Sequence, residues 1–232
     1  MKISRELNIV INWVLNEIIP PALRDSKILM KPLFWVAFGK GMESFWNFHQ
    51  NVYKMTEKEF IDLNQNAKSY AFERETDLNQ ACIEAIEKSI HGNKILEVGC
   101  GRGYLSKILS KKHEVTAVDI ALPDSLKNQS DFKTEECSAE SIPFEDDFFD
   151  TVICTHTLEH VRGIQRTLSE LRRVCKNRII IVVPCERPYL YTFNLHIHFF
   201  PYQFSLLAVT GIRINQQISK AGGDWVYIED KI

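Results

Sequence analysis

The chain is organised around residues 94–105, which read KILEVGCGRGYL. The apolar segment from Ile95 to Val98 predicts a buried β-strand, and a helix is expected to begin near Tyr104. Between them lie three glycines at alternate positions, Gly99, Gly101 and Gly103. Glycine adopts positive φ without a steric cost and has no Cβ. These positions therefore predict a tight turn whose backbone a ligand can approach closely.

The spacing of the glycines and the acid before them indicate what kind of ligand the turn binds. Open α/β sheets bind nucleotides at such a turn, and a dinucleotide fingerprint has its third glycine at the sixth position, facing a pyrophosphate. Here the third glycine comes at the fifth position, and Glu97 precedes the turn. A carboxylate at that place would repel a pyrophosphate but suits a cationic ligand. A nicotinamide dehydrogenase is therefore the least favoured class of enzyme.

The stretch from Glu97 to Gly103 resembles the first motif of class I S-adenosylmethionine-dependent methyltransferases of the type 11 kind. The resemblance covers about residues 70–229 and implies that S-adenosylmethionine is the cofactor. It also implies that Glu97 faces the amino end of the cofactor. The residues that would wrap its methionine part are Gly99, Cys100, Gly101 and Gly103.

A second acidic residue ends the next apolar strand, which we expect over residues 114–119. Asp119 follows the glycine turn by about 20 residues, the spacing at which a carboxylate reaches a ribose. An isolated aspartate here would more simply be a helix N-cap or a surface residue. In the context of this turn we expect Asp119 to bind the ribose hydroxyls, and Ile120 to supply an apolar wall for the adenine.

The segment that follows a short third strand resembles the part of the family that meets the adenine amino group. The family usually has aspartate at the start of this segment, whereas this chain has Cys137 and Ser138. The candidates for the adenine contact are therefore Ser138, the backbone around Ala139, and Glu140.

A fourth strand over residues 149–155 leads into the sequence HTLEHV, residues 156–161. In the resembled family, residues at the exit of this strand lie beside the sulfonium and the methyl acceptor. The resemblance therefore assigns Thr155 to the cofactor site, and His156 both to that site and to the reaction centre. His160 more simply bonds to nearby backbone. The histidines do not form an HExxH motif, and we expect no metal site.

A loop rich in aromatic and ionisable residues follows the fifth strand, which we expect over residues 179–184. In the resembled family this region helps to form the acceptor pocket. His196 or His198 could deprotonate an acceptor hydroxyl, because imidazole titrates near neutral pH. Either histidine could instead only order the loop, and the spacing does not choose between them.

The order of the predicted elements indicates an α/β fold. We expect a Rossmann-like, mostly parallel sheet of seven strands with helices on both faces, closed by an antiparallel hairpin over residues 212–229. Residues 70–232 would form this methyltransferase domain, and residues 1–69 a helical N-terminal extension. The extension contains an amphipathic pattern over residues 3–19, an apolar and aromatic stretch over 28–38, and a capping box of Thr56 with Glu59.

Composition narrows the class of protein. The chain is 45% apolar with a formal charge of −2, so no basic field favours nucleic acid, and we expect no nucleic-acid partner. Six scattered cysteines without a short CxxC spacing indicate a reduced, cytoplasmic protein. No signal peptide is visible.

The resemblance leaves the methyl acceptor open. We expect O- or N-methylation of a small molecule or sugar, in surface-glycan or secondary-metabolite biosynthesis. A methyltransferase for a lipid or quinone could instead touch a membrane through its N-terminal helices, which the few flanking lysines do not favour. Those helices could also join two copies of the chain as a homodimer. A noncatalytic interaction module with the methyltransferase fold would fit the same motifs.

Overall fold

The computed structural model describes residues 18–39, 42–70, 75–191 and 194–231, together with Val14. The chain forms two compact units. The helical unit combines the described part of residues 1–74 with residues 186–197, and the sheet unit comprises residues 75–185 and 198–232. The sequence predicted a boundary at 69/70 and one continuous domain after it. The structure differs, because the segment after the fifth strand belongs to the helical unit.

The helical unit contains five helices among the residues that the structure describes. They are α1 (Pro21–Arg24), α2 (Lys27–Phe38), α3 (Met42–Trp46), α4 (Phe48–Asn51) and α5 (Glu57–Tyr70). The capping box before α5 is present, because the Thr56 N–H donates to the Glu59 carboxylate over 2.8 Å and the Glu59 N–H donates back to Thr56 Oγ1 over 3.3 Å. Most of the helix expected over residues 3–19 lies outside the described residues.

The core of the helical unit is apolar and aromatic. Its buried residues are Met30, Phe34, Phe45, Phe48, Val52, Phe60, Tyr191 and Leu195. Tyr191 stacks on Trp46 with ring centroids 3.9 Å apart. The segment 186–197 therefore completes the core of the unit to which it belongs.

The sheet unit alternates strands and helices. Its elements in chain order are α6 (Gln80–Ser89), β1 (Lys94–Val98), α7 (Tyr104–Leu109), β2 (Glu114–Asp119), α8 (Asp124–Lys127), β3 (Lys133–Glu136), β4 (Phe149–Thr155), α9 (Ile164–Val174), β5 (Cys175–Pro184), α10 (Gln203–Thr210), β6 (Gln216–Ala221) and β7 (Asp224–Asp230).

The strands form one seven-stranded sheet in the order β3-β2-β1-β4-β5-β7-β6. The first five strands along the chain pair in parallel, and β7 pairs antiparallel with both β5 and β6. This confirms the predicted fold class. The first strand of the hairpin was predicted too early, because β6 begins at Gln216, whereas Ile212 and Ile214 are 85% and 94% exposed.

Strand β5 shows why helices cover both faces of the sheet. Ile179, Ile181 and Val183 belong to one apolar core, whereas Ile180 and Val182 belong to another. Alternate residues of a strand point to opposite faces. A continuous apolar strand therefore needs a cover on each side.

Within the residues that the structure describes, no helix has both the length and the apolar character needed to cross a bilayer.

Candidate active site

The candidate residues gather at the carboxyl edge of the sheet, because β1, β2, β4 and β5 run in parallel and end on the same side. The glycine turn follows β1 and is hydrogen-bonded to the end of β2. The N–H groups of Gly99 and Cys100 both donate to the Val118 carbonyl, over 2.8 and 3.0 Å. The three turn glycines have positive φ, at 76°, 55° and 71°, as the sequence predicted.

Two of these glycines face different surroundings. A Cβ at Gly99 would lie 1.9 Å from Thr157 Oγ1, so this glycine lets the turn after β1 pack against the turn after β4. A Cβ at Gly101 would meet nothing within 4 Å. Gly101 therefore leaves backbone open at the edge of the sheet, where a ligand can approach it.

Asp119 lies directly beside this open backbone. Its carboxylate accepts from the Gly101 N–H over 2.8 Å and from the Ala121 N–H over 3.1 Å. The side chain ends β2 and is largely buried, and Ile120 next to it is half-buried. The structure thus brings Asp119 to the glycine turn, as expected for a residue that binds the ribose.

Glu97 lies in β1, two residues before the turn, and is buried. Its side chain is buried in β1 and accepts a hydrogen bond from the hydroxyl of Ser106 in α7. Burial raises its pKa to about 7, against the opposing effect of the Ser106 hydrogen bond. A cation nearby would favour the ionised form. The contact between Glu97 and the amino end of the cofactor stays a prediction.

The segment expected to meet the adenine begins beside Asp119. The Cys137 N–H donates to the Asp119 carbonyl over 3.0 Å, which places Ser138 and Ala139 next in the chain. The Glu140 carboxylate accepts from the Gly163 N–H over 2.8 Å, directly before α9. Glu140 therefore holds the start of α9, and the adenine contact of Ser138, Ala139 or Glu140 stays a prediction.

His156 occupies a constrained place after β4. Thr155 ends that strand as a buried residue, and the His156 N–H donates to the Val182 carbonyl over 2.9 Å. His156 has a φ of 46°, a left-handed conformation that non-glycine residues adopt rarely. Its Nδ1 lies 3.4 Å from Glu159 Oε1 and its Nε2 lies 3.5 Å from Asp224 Oδ2.

The two carboxylates determine the charge of this histidine. Burial lowers its pKa, but Asp224 and Glu159 raise it more, to a net value of about 10. The raised pKa favours the imidazolium form of His156, which has no lone pair with which to accept a proton. The geometry supports a positioning role for His156, and its place at the reaction centre stays a prediction.

Sequence reasoning missed Asp224 and Glu159. Asp224 also accepts from Asn79 Nδ2 over 2.9 Å, and Asn79 Oδ1 caps α6 by accepting from the Cys82 N–H over 3.0 Å. One cluster of side chains thus joins the N-terminus of α6, the β6–β7 turn and the end of β4. The position of Asp224 beside the hairpin turn could have indicated this, since β7 begins opposite Pro184 at the carboxyl edge.

The two loop histidines lie in different units. His198 lies in the sheet unit, and its ring Nε2 is 2.9 Å from the Val161 carbonyl. Its backbone N–H donates to the Glu159 carbonyl over 3.1 Å. His196, in the helical unit, has its Nδ1 2.8 Å from the Glu186 carboxylate. Its own carbonyl lies 2.8 Å from His49 Nε2. His198 therefore joins the site of the sheet unit, whereas His196 orders the segment 186–197.

Comparisons with known proteins show which family and which fold the chain resembles. Residues 96–183 match the family model of a methyltransferase domain. An uncharacterised protein of Methanocaldococcus jannaschii, MJ0638, is 36% identical over 93 residues, which are 38% of this chain and 40% of that protein.

Two further curated relatives have named activities. The ubiquinone biosynthesis O-methyltransferase of Pseudomonas entomophila is 32% identical over 111 residues, covering 43% of this chain and 48% of that protein. The human arginine-hydroxylase NDUFAF5 is 32% identical over 87 residues, covering 35% of this chain and 25% of that protein. The chain thus spans between a quarter and a half of the length of these relatives.

Solved structures share the fold. A Thermotoga maritima protein described as a SAM-dependent methyltransferase aligns with a TM-score of 0.59 at 16% identity, over 75% of this chain and 99% of that one. The 1,6-didemethyltoxoflavin-N1-methyltransferase of Burkholderia thailandensis, solved with S-adenosylhomocysteine, aligns with a TM-score of 0.54 at 16% identity, over 75% of this chain and 86% of that one.

Residues 96–183 match the methyltransferase domain family, and the sheet unit has the fold of S-adenosylmethionine-dependent methyltransferases. This confirms the resemblance found in the sequence. S-adenosylmethionine is its cofactor, and the residues present fit that molecule. Gly101 leaves open backbone at the turn, Asp119 places a carboxylate beside it, and Glu97 adds a buried acid two residues before the turn.

Proposed function

We propose that the sheet unit methylates an oxygen atom of a small-molecule acceptor, with His198 as the general base. S-adenosylmethionine supplies an activated methyl group when bound. A hydroxyl acceptor gains from a base that removes its proton, whereas an amine often needs none. The name of the Pseudomonas entomophila relative, an O-methyltransferase, supports an oxygen acceptor. Sugars and amines are the competing acceptors.

The observation that carries this proposal is the environment of His198. Its pKa is lowered, mainly by burial, against the opposing effects of the Val161 carbonyl and Glu159. The ring is therefore neutral at pH 7. Because Nε2 faces the Val161 carbonyl over 2.9 Å, that nitrogen carries the hydrogen and donates it. The other nitrogen, Nδ1, then has the lone pair that a general base requires.

His156 and Asp119 take different parts in this proposal. His156 is already charged, so it holds the exit of β4 in place through its two carboxylate partners. Asp119 holds the adenosyl part of the cofactor. Neither residue moves a proton, and the reaction therefore depends on a single base.

The first experiment measures cofactor binding by calorimetry, with Asp119→Ala as the comparison variant. We expect the wild-type protein to bind S-adenosylmethionine and S-adenosylhomocysteine and not NAD, and the variant to bind both adenosyl ligands at least tenfold more weakly. Formation of S-adenosylhomocysteine is then followed with a panel of phenols, quinols, nucleotide sugars and amines.

The second experiment tests the base with His198→Gln. The amide can still donate to the Val161 carbonyl but cannot accept a proton from the acceptor. We expect kcat with a hydroxyl acceptor to fall by about 100-fold at pH 7, while the Kd for S-adenosylmethionine stays unchanged. His91→Gln, which changes an exposed side chain, is the matched control.

Two outcomes would contradict the proposal. Turnover with amines alone, unaffected by His198→Gln, would indicate N-methylation without this base. Cofactor binding without turnover across the whole panel would support a noncatalytic module or another reaction, such as the hydroxylation for which NDUFAF5 is named.

A further inference from the structure

The helical unit exposes a contiguous apolar face along α2. Met30 and Phe34 point into the core of the unit, where they are 2% and 0% exposed. The other side of the same helix is apolar as well. Its exposed residues, which we call the α2 outer face, are Ile28 (85%), Leu29 (48%), Leu33 (48%), Trp35 (67%) and Val36 (74%).

The positions of these residues place them on one broad surface. Residues three, four and seven apart share a face of a helix, so Ile28 and Trp35 lie together and Leu29, Leu33 and Val36 continue the surface. A contiguous apolar patch of this kind on a protein surface marks a site of interaction. The α2 outer face is therefore a candidate interaction surface.

The charges on α2 indicate the kind of partner. Lys27 and Lys31 are exposed along one border of the outer face, next to Trp35 on the helical wheel, and the sequence of α2 contains no acidic residue. Lysines attract anionic lipid headgroups, and tryptophan favours the boundary between headgroups and acyl chains. Two copies of this face packed together would bring lysines near each other without an acid on either helix.

Buried contacts hold α2 in this orientation. The Arg24 guanidinium, 4% exposed, donates from Nη1 to the Tyr191 carbonyl over 2.7 Å and to Met30 Sδ over 3.6 Å. It also lies over the Tyr189 ring at 4.7 Å. These contacts keep the Met30 side of α2 inward, so the outer face cannot turn into the core without breaking them.

We propose that the α2 outer face binds the surface of an anionic phospholipid bilayer. The sequence alone did not favour a membrane contact. The structure favours a membrane contact, because the apolar side of α2 is exposed and both lysines lie at its border. Because no described helix could span a bilayer, the proposed contact is peripheral. The proposal does not depend on methyl transfer.

Flotation of the full chain with vesicles tests the proposal. We expect the wild-type protein to float with vesicles of phosphatidylcholine and phosphatidylglycerol, and to float less with phosphatidylcholine alone. Trp35→Ser and Ile28→Ser should each weaken partitioning by about tenfold, since each removes a large apolar side chain from the lipid contact. Lys27→Glu combined with Lys31→Glu should weaken binding to the anionic vesicles alone.

The control is Ile214→Ser, which changes an isoleucine of the sheet unit that is 94% exposed. This variant should float like the wild-type protein. All the substituted positions are exposed, and circular dichroism should show that each variant is folded.

Two results would overturn the proposal. One is the absence of flotation of the wild-type protein with the anionic vesicles. The other is a dimer in solution that Trp35→Ser converts to a monomer, again without flotation. Neither result would affect the methyltransferase proposal, because cofactor binding and turnover are measured without vesicles.

Discussion

The two edges of the sheet each contain a cluster of buried charge, and strand β7 runs from one cluster to the other. At the amino edge, Glu229 near the end of β7 pairs with Arg172 at the end of α9. At the carboxyl edge, Asp224 at the start of β7 faces His156. The same strand thus contributes to two clusters whose geometry differs.

The amino-edge cluster is closely aligned. Arg172 donates from Nε to Glu229 Oε1 over 3.0 Å and from Nη2 to Oε2 over 2.8 Å, and the Tyr227 hydroxyl donates to Oε2 over 2.5 Å. Burial raises the pKa of Glu229, but Arg172 and Tyr227 lower it below its usual value. Bidentate pairs of this kind are among the strongest in proteins.

The carboxyl-edge cluster is looser and strained. The two ring nitrogens of His156 lie 3.4 and 3.5 Å from carboxylate oxygens, at ion-pair distances but longer than good hydrogen bonds. The backbone of His156 is in the left-handed region. Strain of this kind collects at functional sites. The amino edge therefore contains a well-aligned, stabilising ion pair. The carboxyl edge instead combines long ion pairs with a strained backbone at the candidate site.

The largest expected effect is at Gly99. Gly99→Ala would place a Cβ 1.9 Å from Thr157 Oγ1 at a φ of 76°, whereas Gly101→Ala adds a Cβ at a φ of 55° with nothing within 4 Å. We expect Gly99→Ala to cost about 4 kcal/mol in the free energy of unfolding, and Gly101→Ala about 1 kcal/mol. Urea unfolding of both variants measures this. Equal losses of unfolding free energy in the two variants would show that the close packing of Gly99 against Thr157 does not contribute to stability.

Arg172→Met should have the next largest effect. It leaves the largely buried Glu229 carboxylate without its cationic partner, and we expect a loss of about 3 kcal/mol in the free energy of unfolding. Lys111→Met, which changes an exposed lysine, is the matched control and should cost less than about 0.5 kcal/mol. Cofactor affinity at pH 7 should stay unchanged in the folded Arg172→Met protein. A stability loss no greater than that of the control would contradict the contrast between the two edges.

A further expected effect is that the titration of His156 makes the free energy of unfolding depend on pH. Its folded-state pKa of about 10 lies above the unfolded value of about 6.5. Its ion pairs therefore stabilise the protein fully below about pH 6.5, and this contribution is lost as the pH rises towards about 10. We expect the free energy of unfolding of the wild-type protein to fall more steeply than that of His156→Asn across this range, because only the wild-type protein loses a proton from this position.

Asparagine suits this control because it tolerates a positive φ but carries no charge. The neighbouring Cys82 thiol, whose pKa is raised to about 12, does not titrate in the window. Parallel pH profiles of the two proteins would mean that His156 is neutral in the folded state. His156 would then return as a candidate general base.

The sequence predicted the strands of the sheet most accurately where they are apolar and central. The expected bounds of the second and fourth strands, 114–119 and 149–155, match β2 and β4. Hydrophobic runs of this kind are buried on both faces, so local pattern and tertiary environment agree. The start of β6 was misplaced because Ile212 and Ile214 are apolar but exposed, a case in which hydrophobicity does not indicate burial.

The candidate site was predicted in part. Gly101 and Asp119 could be found from spacing alone, because the turn and the end of β2 are brought together by neighbouring parallel strands. Glu140 was one of the candidates for the adenine contact; one of its carboxylate oxygens accepts a hydrogen bond from the Gly163 N–H, and the adenine contact stays a prediction. The partners of His156 could not be predicted, since Asp224 lies far along the chain and only the pairing of β7 with β5 brings it to the exit of β4.

The sequence by itself indicated the family, the succession of strands along the chain and the glycine turn after the first strand, because these depend on local patterns of glycines, acids and apolar runs. The tertiary structure decided which histidine is charged, which unit the segment 186–197 joins and which side of α2 is exposed. These properties depend on distances between residues far apart in the chain. Burial and ion pairing are set by those distances, which the local sequence does not specify.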